Sequence, residues 1–133
     1  MSRPQLSNNY AANCSMDNDP IFEPLTFPSG LVVNNRLFRS NLSGRFDNDD
    51  GSGNPIRINW EERFAKGGVG AIISSYTPVS VRGRILTHYA MIDDDSKIPF
   101  WSELVERVNQ HNDCKFIMQL SHSGRQQDQG GVE

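Results

Sequence analysis

Three short stretches carry side chains able to hold a ligand through hydrogen bonds: Ser40-Asn41-Leu42-Ser43, Ser74-Ser75-Tyr76-Thr77 and Gln119-Leu120-Ser121-His122. Each closes an apolar run that reads as a buried parallel strand. Polar groups collected at one end of parallel strands are what a β/α barrel presents at its active mouth. Other chemistries fit less well. Asp47, Asp49 and Asp50 stand among Gly51, Gly53 and Asn54 in a segment, Gly44 to Pro55, whose composition favours a solvated loop. A calcium loop needs alternate oxygen ligands and a glutamate at the twelfth position, where counting from Asp47 gives Ile58. A glycosidase-like carboxylate pair is also poorly placed, since Asp93 to Asp95 fall in a loop and not at a strand end. The chain has no Gly-x-Ser-x-Gly elbow and no Gly-x-x-x-x-Gly-Lys phosphate loop.

The elements that must position these groups alternate. Ile21 to Phe27 and Leu31 to Val33 form two extended runs about Pro28-Ser29-Gly30, a hairpin suited to closing a barrel floor. Arg36 to Leu42 makes a first barrel strand whose arginines interrupt the apolar run. A first helix is expected with Asn59 as its cap, Glu62 as capping-box partner, Trp60, Phe64 and Arg63 on its packing face, and Gly67-Gly68 at its end. Val69 to Ile73 follows as a strand covered on both faces, with Gly70 allowing a helix to pack closely. A second helix from about Pro99 to Gln110 repeats Trp101, Leu104, Val105 and Val108 at helical spacing. After the Asn112-Asp113 turn, Lys115 to Leu120 makes a third strand. Strands alternating with helices imply parallel pairing, and a full eightfold barrel needs roughly 250 residues. The expected fold is therefore α/β, an incomplete (β/α)8 TIM barrel of about three units preceded by a β-hairpin, within 133 residues.

Charge and composition narrow the partners. The net charge of −3, with basic residues scattered among acidic ones, offers no phosphate-neutralising surface for nucleic acid and no polybasic patch for a membrane. Residues 1–20 are rich in Ser, Asn and Asp, lack an apolar core, and read as a disordered polar leader. Cys14 and Cys114 form neither a disulfide framework nor a metal pair, which fits a reducing, cytoplasmic setting.

One further pattern runs along the chain: Phe22-Glu23-Pro24-Leu25, Asn35-Arg36-Leu37, Gly67-Gly68-Val69-Gly70-Ala71-Ile72-Ile73, Gly83-Arg84, Asp93-Asp94 with Ile98 and Trp101, and Gln119-Leu120-Ser121-His122-Ser123-Gly124-Arg125. In order and spacing it resembles the old yellow enzyme family of flavin-dependent NAD(P)H oxidoreductases, from about Ile21 to Arg125, so residues 21–133 correspond to the N-terminal portion of an FMN-binding TIM barrel. The resemblance implies FMN over the carboxyl ends of the strands, reduced by NAD(P)H and reoxidised by hydride transfer to a small-molecule acceptor such as an electron-poor alkene. It assigns cofactor contacts to Ser40, Asn41, Leu42, Ser43, Tyr76 and Gln119, and a substrate contact to Arg45. The Gln119 carboxamide, donor and acceptor at once, suits the flavin pyrimidine edge. Ser43 falls where a hydroxyl or thiol tunes the flavin carbonyl.

Two positions depart from the family pattern. It often has proline where Asn41 stands and a small residue at Tyr76, whose phenol would crowd or stack on the flavin. Arg45 can equally hold the Asp-rich loop. No catalytic residue is assigned, because the family's acceptor-binding His or His/Asn pair, its proton donor and most phosphate contacts lie further along the chain. His122 reads as structural, His88 and His111 as surface residues, Ser74 and Ser75 as small packing residues, and Trp60 and Trp101 as core anchors. The other reading is a non-catalytic α/β fragment that binds no flavin. Three strands of a barrel leave apolar edges, which implies a complementing chain or a homo-oligomer as partner. The loop-like ending at Gly130-Gly131-Val132-Glu133 reads as a truncation.

Overall fold

The computed structural model describes residues 19–127. All but the last two residues of the expected leader, and the Gly130 to Glu133 ending, lie outside the described residues. A 3-10 turn over Pro20–Phe22, capped by the Asp19 carboxylate, leads into a hairpin of β1 (Leu25–Thr26) and β2 (Val32–Val33). Its strands pair antiparallel, Leu25 opposite Val33. Gly30 takes φ +85° at the turn, a left-handed conformation that costs other residues more.

The main sheet has three parallel strands in the order β3 (Phe38–Arg39), β4 (Ala71–Pro78) and β5 (Lys115–Ser121). The crossovers that parallel neighbours require contain α1 (Pro55–Lys66) and α2 (Ile98–Asn109). Both helices pack on the same layer: Ile58 and Ala65 of α1 and Trp101, Leu104 and Val108 of α2 meet Ile72 of β4 in one apolar core. The buried Cys114 thiol joins this core, and burial pushes it up to about 11, leaving it protonated and unreactive at neutral pH.

Several sequence expectations are corrected by local physics. The first strand is two residues long because the chain turns at once, Leu42 N–H donating to the Ser40 carbonyl at 2.7 Å. Helix α1 starts four residues before Asn59: Asn54 is the cap, its side chain accepting from Ile56 N–H, and Pro55 takes the first turn. Asn59 and Arg63 are exposed, Trp60 is half-buried between the edges of Phe46 and Phe64, and the buried face carries Arg57, Ile58, Glu61, Glu62 and Ala65. The expected end holds, since Gly67 caps α1 and Gly68 follows at φ +87°. Gly70 makes room not for a helix but for Asn35, whose backbone oxygen lies where a Cβ would stand. The segment around Asp47 is not wholly solvated, because Asp47 itself is buried. Among the described residues no helix is long and apolar enough to cross a membrane.

Candidate functional site at the carboxyl ends of the strands

The alternation of β5 places Phe116 and Met118 against the helical core, so Ile117 and Gln119 face the opposite, concave side. On β4 the partners of those two are Ile73 and Tyr76, three residues apart where β5 spans two. The extra residue is a bulge at Ser74-Ser75, and it brings Tyr76 onto the face that Gln119 occupies. The Ser74 hydroxyl accepts the Gln119 backbone N–H at 2.8 Å, replacing a ladder bond that the bulge removes. Ser74 and Ser75 are fully buried within β4, which runs on to Pro78, so this stretch is strand interior and not a strand end.

Beyond β3 the chain reaches the same end of the sheet. Asn41 Nδ2 donates to Gln119 Oε1 at 3.1 Å, although 78 residues separate them in sequence. Asn41, Tyr76 and Gln119 are thus brought together from three different strands or strand ends. Ser40, Leu42 and Ser43 are exposed on the turn that carries Asn41. Arg45 is exposed further along that loop, at φ +50°, and makes no hydrogen bond to Asn41, Tyr76 or Gln119.

Tyr76 is fixed at both ends. Its hydroxyl donates to the Gly83 carbonyl at 2.5 Å, and its ring lies 5.5 Å from that of Tyr89. Burial raises the phenol above its ordinary range, with a Ser123 hydrogen bond opposing and Tyr89 adding, so it stays a neutral donor at neutral pH. The Gly83 carbonyl also accepts from Ser123 N–H at 3.0 Å, tying the loop after β4 to the loop after β5. His122 is exposed, its Nδ1 accepts from Gly124 N–H, and its ring stands where a side chain on Gly83 would go.

Behind the mouth runs a buried chain of alternating charges. Arg39 pairs with Glu61, Glu61 with Arg57 at 3.3 Å, and Arg57 with Asp47 at 2.6 Å. Asp47 Oδ2 also accepts from Ala90 N–H at 2.9 Å, which docks the loop after β4. Arg39 Nη1 donates to the carbonyls of Ser40 at 3.1 Å and Leu42 at 3.4 Å, and its guanidinium lies over the Phe64 ring at 5.0 Å. Burial, and then Arg57, lower Arg39 to about 10, which leaves it charged at neutral pH. In the sequence Arg39 reads only as an interruption of an apolar strand. The missed signal was the rule that a charge in a buried strand needs a partner, which points to acids such as Glu61.

His111 and His88 are less free than expected. His111 Nε2 meets Glu62 Oε1 at 2.9 Å, and His88 Nδ1 lies 3.1 Å from the Asp47 carbonyl. Among the described residues no three His, Cys, Asp or Glu gather as metal ligands would.

As a donor set this mouth fits a flavin ring edge. It offers the Gln119 carboxamide oriented by that of Asn41, the Tyr76 ring beside it, its hydroxyl engaged by Gly83, and the turn bearing Ser40 and Ser43, all at one end of the sheet. A family model described as NADH:flavin oxidoreductase / NADH oxidase matches residues 20–132. The chain is 30% identical over 105 residues to a probable NADH-dependent flavin oxidoreductase of Bacillus subtilis, covering 79% of this chain and 28% of that protein. Among solved structures it is similar to a morphinone reductase in complex with tetrahydroNAD, at 28% identity and TM-score 0.69, covering 82% of this chain and 29% of that one. It also superposes on an old yellow enzyme from a Pichia species, at 21% identity and TM-score 0.74, over 82% of this chain and 28% of that one. The chain thus spans under a third of the length of these relatives, and its strands and helices are the first part of the TIM barrel they share. With the matched span covering nearly the whole of it, the chain belongs to the NADH:flavin oxidoreductase / NADH oxidase family, that of the old yellow enzymes.

Proposed function

We propose that this chain supplies the N-terminal part of the FMN cradle of an NAD(P)H-dependent oxidoreductase of old yellow enzyme type. The observation that carries the reading is the Asn41–Gln119 hydrogen bond beside Tyr76, which joins the end of one strand to the far neighbour across the sheet. Gln119 would hold the pyrimidine edge, with the carboxamide oriented by Asn41. Ser40, Leu42 and Ser43 would line the ring, the Ser43 hydroxyl donating toward a ring carbonyl. Tyr76, held by Gly83 and Tyr89, would form a wall beside the ring and restrict its pose. Arg45, exposed on the outer loop, would meet the acceptor. The chemistry that FMN supplies when bound is hydride transfer from NAD(P)H to an electron-poor alkene or similar acceptor.

A second reading, a fragment that binds no flavin, draws on the sheet edges, since among the described residues neither β3 nor β5 has an outer partner. A complementing chain or a second copy would then be needed to finish the cradle. Titration of the purified chain with FMN, followed by quenching of flavin fluorescence, separates the two. Saturable quenching, weakened about tenfold in Gln119→Ala as expected for a lost hydrogen bond of about 1.4 kcal/mol, supports the first. No quenching in the unsubstituted chain supports the second, and equal binding by Gln119→Ala removes that residue from the cradle.

A further inference from the structure

We infer that Arg39 is a positioning residue for the turn Ser40 to Ser43, acting from the buried side of the sheet through the carbonyls of Ser40 and Leu42. This goes beyond the flavin reading by naming what shapes the cradle, and rests on that reading only where FMN binding is measured.

Strand β3 stops after Arg39, and the next residues adopt a tight turn closed by Leu42 N–H and the Ser40 carbonyl. Such a turn exposes its side chains and has no ladder to hold it. The Arg39 side chain reaches past it on the helical side, where one nitrogen serves two of its carbonyls. A planar guanidinium with five donors does this while a second nitrogen pairs with Glu61 and its face rests on Phe64. Lysine has one ammonium and no such plane. Glu61 in turn is shared with Arg57, which Asp47 holds, so the clamp is braced against α1 and against the loop after β4. A buried run of four charges is an expensive way to stabilise a fold, and replacing such groups by apolar ones is often neutral or better. What the run does here that a methionine cannot is hold two carbonyls in one orientation, which fixes where Asn41 and Ser43 point.

The test uses the full chain with Arg39→Lys and, as a variant less prone to unfold, Glu61→Gln. Amide resonances from 1H–15N NMR are compared with those of the unsubstituted chain, and FMN affinity is measured by fluorescence quenching. The expected result is that the amides of residues 40–43 shift or broaden while those of α2 and β5 stay in place, with FMN bound about tenfold more weakly. Unchanged amides at 40–43 in both variants overturn the inference. So does a change in Glu61→Gln spread evenly over α1, α2 and β5, which marks the charges as fold stabilisers only. If the unsubstituted chain binds no FMN, the flavin reading falls, and the amide pattern still decides the role of Arg39.

Discussion

Glu62 shows how a single residue on the helical layer ties the two crossovers together. Its carboxylate, on α1, accepts from His111, Lys66 and Arg107, and these partners, His111 first, hold it down at about 2 against an ordinary 4.5. A depressed carboxylate contributes stability that is complete above its unfolded value and vanishes as pH falls through its folded one. The contribution is therefore expected in full above pH 4.5 and lost between about 4.5 and 2. Thermal melts at pH 6, 4 and 3 check this: the gap in Tm between the unsubstituted chain and Glu62→Gln should narrow steadily as the solution is acidified. A gap independent of pH would mean that the carboxylate is not the stabilising group. The same attention to pairing applies at the mouth, where the Gln119 carboxamide oxygen accepts from Asn41, and the pair was legible only as two separate polar residues at strand ends.

Element by element, what was legible in the sequence was the part set by periodicity. Helix α2 and strand β5 were readable because Trp101, Leu104 and Val108 recur at helical spacing and Lys115 to Leu120 is bounded by a turn, with Asn112 and Asp113 both in left-handed conformation. Helix α1 was misplaced because its inner face carries Arg57, Glu61 and Glu62, charges that read as solvated until their partners on β3, α2 and the Asp47 loop are known. The true cap is Asn54, and Asn54→Ala should cost about 1 kcal/mol by urea unfolding. Asn59→Ala should stay near zero by that measure, apart from its contact with Arg107. Pattern marked Ser40 to Ser43 as a polar strand end, while their flavin role, and Arg45 altogether, came from the resemblance, since an exposed side chain on a turn has no periodic signature. The clamp at Arg39 was invisible for the reason that hid α1: nothing in a local window announces a partner twenty-two residues away.

At the scale of the molecule, the main sheet has, among the described residues, one face covered by helices and one without them. Helices α1 and α2 shield one face of the sheet, while Ile73, Ile117 and the mouth residues lie on the other. Leu120, on β5, is 63% exposed, and an apolar groove of about 700 Å³ runs beside α2 between Ile92, Ile98, Trp101 and Val105. Exposed strand edges and apolar grooves of this size recruit other chains. Sedimentation velocity at rising concentration is expected to show association of the purified chain, reduced by Leu120→Lys. A monomer throughout would mean that these apolar exposures on the helical side are tolerated. The bulge in β4 bears on the length of the gene itself. Because Ser74-Ser75 adds one residue between two positions that face the same way, loss of a single serine codon there would straighten the strand and leave Tyr76 still opposite Gln119. This strand therefore contains a place where the register across the sheet survives the loss of one residue, and it lies just upstream of Tyr76.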